Sequence, residues 1–199
     1  MQKTTTPEKT TKRAYRKTSE TQKIIFDKAM ALMSEKGFQG TTVRDICAEA
    51  EIPIGTFYNC YKSKVDILKS IYESGDKYIK DAVENEINGK TAIEKLHIFT
   101  YHYAQLNVRT GIEVMRVLFY PTNEWFAHNR PMQSLLRDII EEGIAKGELR
   151  SDINTDDVVD YVFDIFRGVC YNWCIHEADF DISARMESHI SLLCDVLRK

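Results

Sequence analysis

Apolar residues along this chain recur at three- and four-residue spacing, the period of a helix buried on one face. Ile25, Ala29, Leu32 and Met33 keep that spacing until Gly37, and Ser19 with Gln22 three positions on has the form of a capping box, so a helix is predicted over about 19–36. Thr42 then reads as an N-cap with Asp45 at the third position, followed by an inward stripe of Val43, Ile46, Cys47 and Ala50. A break at Glu51-Ile52-Pro53 leads into a short helix, 54–61, with Phe57 and Tyr61 on one face and Thr56, Tyr58, Asn59 and Cys60 pointing elsewhere. A fourth helix is predicted from near Val65 to about Asn88.

The second half keeps the helical period. Ala92, Leu96, Phe99, Tyr103 and Leu106 form one stripe, and a shorter segment from Gly111 to Tyr120 ends at Pro121. Another runs from about Thr122 through Leu135, Leu136, Ile139, Ile140 and Ile144 to Gly147, with a kink or interruption at Pro131. Residues 156–175 carry Val158, Val162, Ile165, Val169 and Trp173 on one face with Val159, Phe163, Phe166, Cys170 and Cys174 beside it, a wider arc than one packed neighbour requires. Ile182, Met186, Ile190, Leu193 and Leu197 make the last stripe. An all-α fold of 199 residues follows, as one domain or two small ones sharing an interface.

Composition narrows the class. The 43% apolar and 29% charged content excludes a disordered chain, and a chain of this length buries enough surface to need neither disulfide nor metal. The five cysteines, Cys47, Cys60, Cys170, Cys174 and Cys194, are odd in number and scattered, so no disulfide framework is expected and the cytosol is the default compartment. No apolar run approaches the roughly 20 residues that span a bilayer, and the polar, basic first 18 residues lack the apolar core of a secretory signal, so no membrane partner is expected. The net charge of −3 hides an asymmetry: residues 1–71 carry +5 and residues 72–199 carry −8. A basic N-terminal segment on an acidic body suits a small nucleic-acid-binding module on a larger domain that does not itself adhere to polyanions.

Two short helices separated by a tight turn, the second presenting small and hydrogen-bonding side chains opposite an aromatic core face, have the layout of a helix-turn-helix. Thr and Asn can address base edges, Tyr can reach a phosphate or a thymine methyl, and Lys64 just beyond can neutralise a phosphate. The stretch Gly37-Phe38, Thr41-Thr42-Val43-Arg44-Asp45-Ile46 and Gly55-Thr56-Phe57-Tyr58-Asn59-Cys60-Tyr61-Lys62-Ser63-Lys64 resembles the DNA-binding module of TetR/AcrR-type transcriptional regulators over about 19–71. Beyond that segment the resemblance is one of helix layout and length.

The opening residues 1–17 have no apolar period and read as a flexible basic arm or an ordinary ragged terminus; the resemblance implies a three-helix helix-turn-helix DNA-binding domain over 18–66 and a helical effector-binding and dimerisation domain over 67–199. It assigns DNA contact to Thr42, Arg44, Ile54, Gly55, Thr56, Tyr58, Asn59, Cys60 and Lys64; the plain alternatives are a helix cap for Thr42 and a solvated charge for Arg44. Three residues depart from the pattern. Glu51 replaces the usual turn glycine, so the turn either avoids a left-handed conformation or carries strain of order 1 kcal/mol. Pro53 stands where a capping Ser is common, and Cys60 replaces a Tyr or His that often reaches phosphate, leaving a weak donor there.

In the body, Phe99, Tyr103, Met115, Phe119, Trp125, Phe126, Phe163 and Phe166 could line an apolar pocket with polar tips to orient a ligand, or simply pack as core. The excess apolar surface of the last two helices suggests a two-fold four-helix dimer interface through Val162, Val169, Trp173, Met186, Ile190, Leu193 and Leu197. Nucleotide-binding glycine runs, G-x-S-x-G and H-E-x-x-H are missing, and the five histidines form no recognisable ligand set, so no enzyme, cofactor or metal is expected. The reading is a homodimeric, ligand-responsive regulator, by resemblance a repressor, released from a palindromic operator by a small apolar effector. Its rivals are a nucleoid- or division-associated DNA-binding protein of the same fold without an effector, and an apolar-ligand carrier or enzyme.

Overall fold

The computed structural model describes residues 7–119 and 130–199; for 7–18 and Val117 it describes the backbone alone. Among these residues there are helices and no strands, apart from an isolated antiparallel bridge between Leu149 and Arg198. The chain divides into two compact units, residues 1–69 and 70–199.

The first unit begins with α1 (Pro7–Gly40), which starts well before the Ser19 expected from the capping pattern. Gln22 is not part of a cap: its side chain donates to the carbonyl of Cys60, and its own carbonyl accepts from the Tyr61 hydroxyl at 3.3 Å. The regular helix breaks at Gly37, whose φ of 73° is open to glycine and strained for other residues, and this is the stop that the sequence predicts. α2 (Val43–Glu49) and α3 (Ile54–Cys60) follow, with the start of α4 (Lys64–Glu86) closing the unit. Ile25, Ala29 and Met33 of α1, Ile46 and Cys47 of α2, Phe57 and Tyr61, and Ile67 and Leu68 of α4 are buried together as its core.

The second unit holds the rest of α4, then α5 (Ala92–Thr110), α6 (Ile112–Leu118), α7 (Pro131–Ala145), α8 (Thr155–Ile175) and α9 (Ile182–Leu197). α5 packs on α9 and α7, while α8 packs on α6, α7 and α9. Two glycines permit the closest approaches. A Cβ on Gly75 would meet Leu106 of α5 at 3.1 Å, and one on Gly143 would fall 2.5 Å from the Ala92 Cβ. The segment expected from about Thr122 to Gly147, with a kink or interruption at Pro131, is described only from Arg130, which caps α7 ahead of Pro131 at its first position.

Candidate functional site

The two short helices of the first unit are built by their caps. Thr42 Oγ1 accepts from the Asp45 backbone N–H at 3.1 Å, and the Asp45 carboxylate accepts from the Thr42 N–H and hydroxyl at 2.8 and 2.7 Å. These bonds hold the Asp45 carboxyl below its usual pKa. The Thr42 hydroxyl already gives its proton to Asp45, so the structure shows the cap, and a phosphate contact would require the hydroxyl to swing away. Glu51 sits at φ 52°, which settles the turn: it is left-handed and takes the strain its missing glycine would have avoided. Pro53 caps α3 with no side-chain hydrogen bond, through its fixed φ of −63°.

On α3, Phe57 is buried, edge-on to Tyr58 and 5.9 Å from the Tyr61 ring. That anchor turns Ile54, Gly55, Tyr58 and Asn59 outward as one exposed face, with Thr56 and Cys60 half-buried at its margins. Arg44 of α2 is exposed and makes no hydrogen bond or ion pair among the described residues. Burial pushes the Cys60 thiol up, opposite to the activation a redox sensor needs. Lys64 does not point outward with the others; its ammonium donates to the backbone carbonyls of Phe38 and Thr41.

A second site lies within the second unit. An apolar pocket, with about 620 Å³ of atom-free space including its open mouth, is walled by Ile71, Tyr72 and Gly75 of α4, Tyr103, Leu106, Asn107 and Thr110 of α5, Met115 and Leu118 of α6 with Phe119 just after it, Met132 and Gln133 of α7, and Phe163 of α8. Arg130 and Arg167 add guanidinium groups to the lining. Arg130 donates to Asp76 at 3.0 Å and to the Tyr72 carbonyl at 3.3 Å, and it stacks 4.7 Å from the Tyr72 ring. Desolvation raises the pKa of the Tyr72 and Tyr103 hydroxyls, so both stay protonated as donors.

The sequence-predicted pocket is therefore divided. Tyr103, Met115, Phe119 and Phe163 line it. Phe99 and Phe166 are fully buried behind the wall, where Phe166 stacks on Tyr103 at 4.6 Å. Trp125 and Phe126 lie outside the described residues. Ile71, Tyr72 and Gly75 of α4 and the two arginines were not among the expected lining residues, because helical spacing alone does not show which residues of a helix face a cavity.

The residues expected at a dimer interface lie mostly inside the chain. Val162, Val169, Trp173, Met186, Ile190 and Leu197 are buried within the chain itself, and Leu193 is half-buried. The apolar side chains that α8 and α9 leave exposed are Tyr161, Tyr171 and Ile175, and Leu192 and Val196.

Comparison with known proteins agrees with this division. Residues 25–71 match the family described as "Bacterial regulatory proteins, tetR family", and residues 73–196 match "YsiA-like protein, C-terminal region". The chain belongs to the tetR family of bacterial regulatory proteins. As such it is a DNA-binding transcriptional regulator. The regulator is 24% identical to the "Fatty acid metabolism regulator protein" of Bacillus subtilis (strain 168), over 85% of this chain and 91% of that one. It is 24% identical to the "HTH-type transcriptional repressor KstR2" of Mycobacterium tuberculosis (strain H37Rv), over 70% and 74% of the two chains. In fold it is similar to FadR from Bacillus subtilis in complex with stearoyl-CoA, with a TM-score of 0.73, 24% identity, and coverage of 88% and 98%. Thermus thermophilus FadR in complex with lauroyl-CoA gives a TM-score of 0.66 at 22% identity, with coverage of 86% and 92%. Among the described residues no helix of the regulator is long and apolar enough to cross a membrane.

Proposed function

We propose that the regulator is a cytoplasmic repressor whose two reading heads occupy an inverted-repeat operator, and that an acyl compound, such as a long-chain acyl-CoA, releases it. The observation that carries this reading is that α4 walls the pocket with Ile71, Tyr72 and Gly75 and is the same helix that begins at Lys64 in the head. A ligand wedged against α4 would favour a conformer in which the heads leave operator spacing. Moving occupancy from 99:1 to 1:99 requires a preference of about 5.5 kcal/mol between the two conformers. Burying an acyl chain at roughly 0.8 kcal/mol per methylene can supply that within about seven carbons. Arg130, beside the apolar wall, suits the polar head of such a ligand.

The DNA contacts proposed are Arg44 and the α3 face of Ile54, Gly55, Thr56, Tyr58 and Asn59, with Thr42 and Cys60 at its edge. The described pocket lining offers hydroxyls, amides and guanidinium groups but no carboxylate, histidine or thiol, which supports a binding site rather than an acid–base catalyst. The relatives divide on ligand class, since one neighbour is the ketosteroid transcriptional regulator KstR2 of Mycobacterium tuberculosis. Filling the pocket tests the reading: Thr110→Trp is expected to keep operator affinity while raising the acyl-CoA concentration for release at least tenfold. Release at the wild-type concentration would place the effector elsewhere.

A further inference from the structure

Lys64 is the first residue of α4, and its side chain is turned into the first unit. Nζ donates to the carbonyl of Phe38 and, at 2.6 Å, to that of Thr41, and it lies 4.0 Å from the centre of the Phe38 ring. Both carbonyls belong to the few residues between the Gly37 break and the Thr42 cap. A helix that breaks this way leaves carbonyl oxygens short of partners, and an ammonium is a compact, strongly hydrated donor whose desolvation must be offset by bonds of this kind. The desolvation is visible as a lowered lysine pKa. A lysine held ready for phosphate would instead keep its charge in water.

We propose that Lys64 is a positioning residue: it clamps the start of α4 to the turn before α2 and so sets where Thr42 and Arg44 stand. Two of its three N–H groups are spent on this clamp. The clamp also joins the first residue of α4 to the residues that lead into α2, so a displacement of that end of α4 is passed to Arg44 through the Thr42 cap. The inference rests on the reading of Arg44 as a DNA contact.

A double-mutant cycle on the full-length protein, read as operator affinity across a salt series, separates the roles. Lys64→Arg keeps the charge but replaces the point donor with a planar fork that does not fit two neighbouring carbonyls, and Lys64→Met keeps the length without donors. Both variants are expected to lose roughly tenfold in affinity, the worth of about one charged hydrogen bond. The penalty of Arg44→Ala is expected to shrink several-fold in the Lys64→Met background. The inference is overturned if Lys64→Arg binds like wild type, if Lys64→Met lowers the salt slope by about one per subunit, and if the cycle is additive, which together describe a phosphate ligand. An Arg44→Ala variant with wild-type affinity removes the DNA reading of Arg44 and this inference with it. A measurement on the wild-type protein covers variants that fail to fold: during reductive methylation of the free regulator, Lys64 should react more slowly than its exposed neighbour Lys62, and equal rates would contradict the clamp.

Discussion

Gly55 illustrates how a single residue can point outside its own chain. It lies in the first turn of α3, where glycine costs about 0.5–1 kcal/mol relative to alanine, and a Cβ there would meet nothing within 4 Å. No internal packing asks for glycine, so the room is useful only to a partner that comes close, such as a DNA backbone. Gly55→Ala is therefore expected to raise the melting temperature slightly while lowering operator affinity; a variant that binds at full strength would remove Gly55 from the interface. Other residues were legible in part. The sequence placed Thr42, Asp45, Phe57 and Tyr61 correctly because caps and aromatic anchors are local. Lys64 escaped it because the carbonyls it holds belong to residues 23 and 26 positions earlier, and no local pattern encodes that pairing.

At the scale of helices, the Gly37 break and the Thr42 cap were readable from the chain, whereas the Ser19–Gln22 pattern does not start α1, which begins at Pro7. Thr91 with Glu94 caps α5 in a reciprocal box, Asn154 caps α8 and Asp181 caps α9. Which apolar face a helix turns inward was not readable where both faces are apolar, as α8 and α9 show. The contact between α5 and α7 carries a charged pair as well: Lys95, almost fully buried, donates to Glu142, which also accepts from Lys146 at 2.5 Å. These bonds hold the Glu142 carboxyl down at about 2, from an ordinary 4.5. A carboxyl whose folded pKa is depressed stabilises the fold above its unfolded pKa, and loses that contribution as pH falls through the folded one. Denaturant midpoints should accordingly drop between about pH 4.5 and 2, and Glu142→Gln should flatten that part of the profile while lowering stability at neutral pH, where Lys95 loses its partner. An unchanged acid limb in the variant would show that the pair does not govern it.

For the molecule as a whole, the basic head and the acidic body are separate devices, and the charge asymmetry between residues 1–71 and 72–199 is their visible trace in the sequence. The wide apolar arc of the last two helices is expected to mark a dimer interface, and the structure leaves Tyr161, Tyr171 and Ile175 of α8 and Leu192 and Val196 of α9 exposed. Ile175 and Leu192, at 54% and 66% exposure, are carried by the faces that a second copy would cover. Ile175→Glu with Leu192→Glu should give folded monomers with greatly weakened operator binding, whereas a dimer by ultracentrifugation would move the interface elsewhere. The expected pocket is a cluster of aromatics, whereas Ile71, Tyr72 and Gly75, which wall it from α4, read in the sequence only as part of the fourth helix.

The most direct test joins the two units in one titration. An inverted-repeat fragment, selected from genomic DNA by the purified regulator and labelled for fluorescence anisotropy, would be challenged with acyl-CoA of increasing chain length, with free coenzyme A and a steroid as controls. The account predicts salt-sensitive binding of one dimer per fragment and release by the long-chain thioesters alone. Operator affinity that stays constant under saturating acyl-CoA occupancy of the pocket would contradict it.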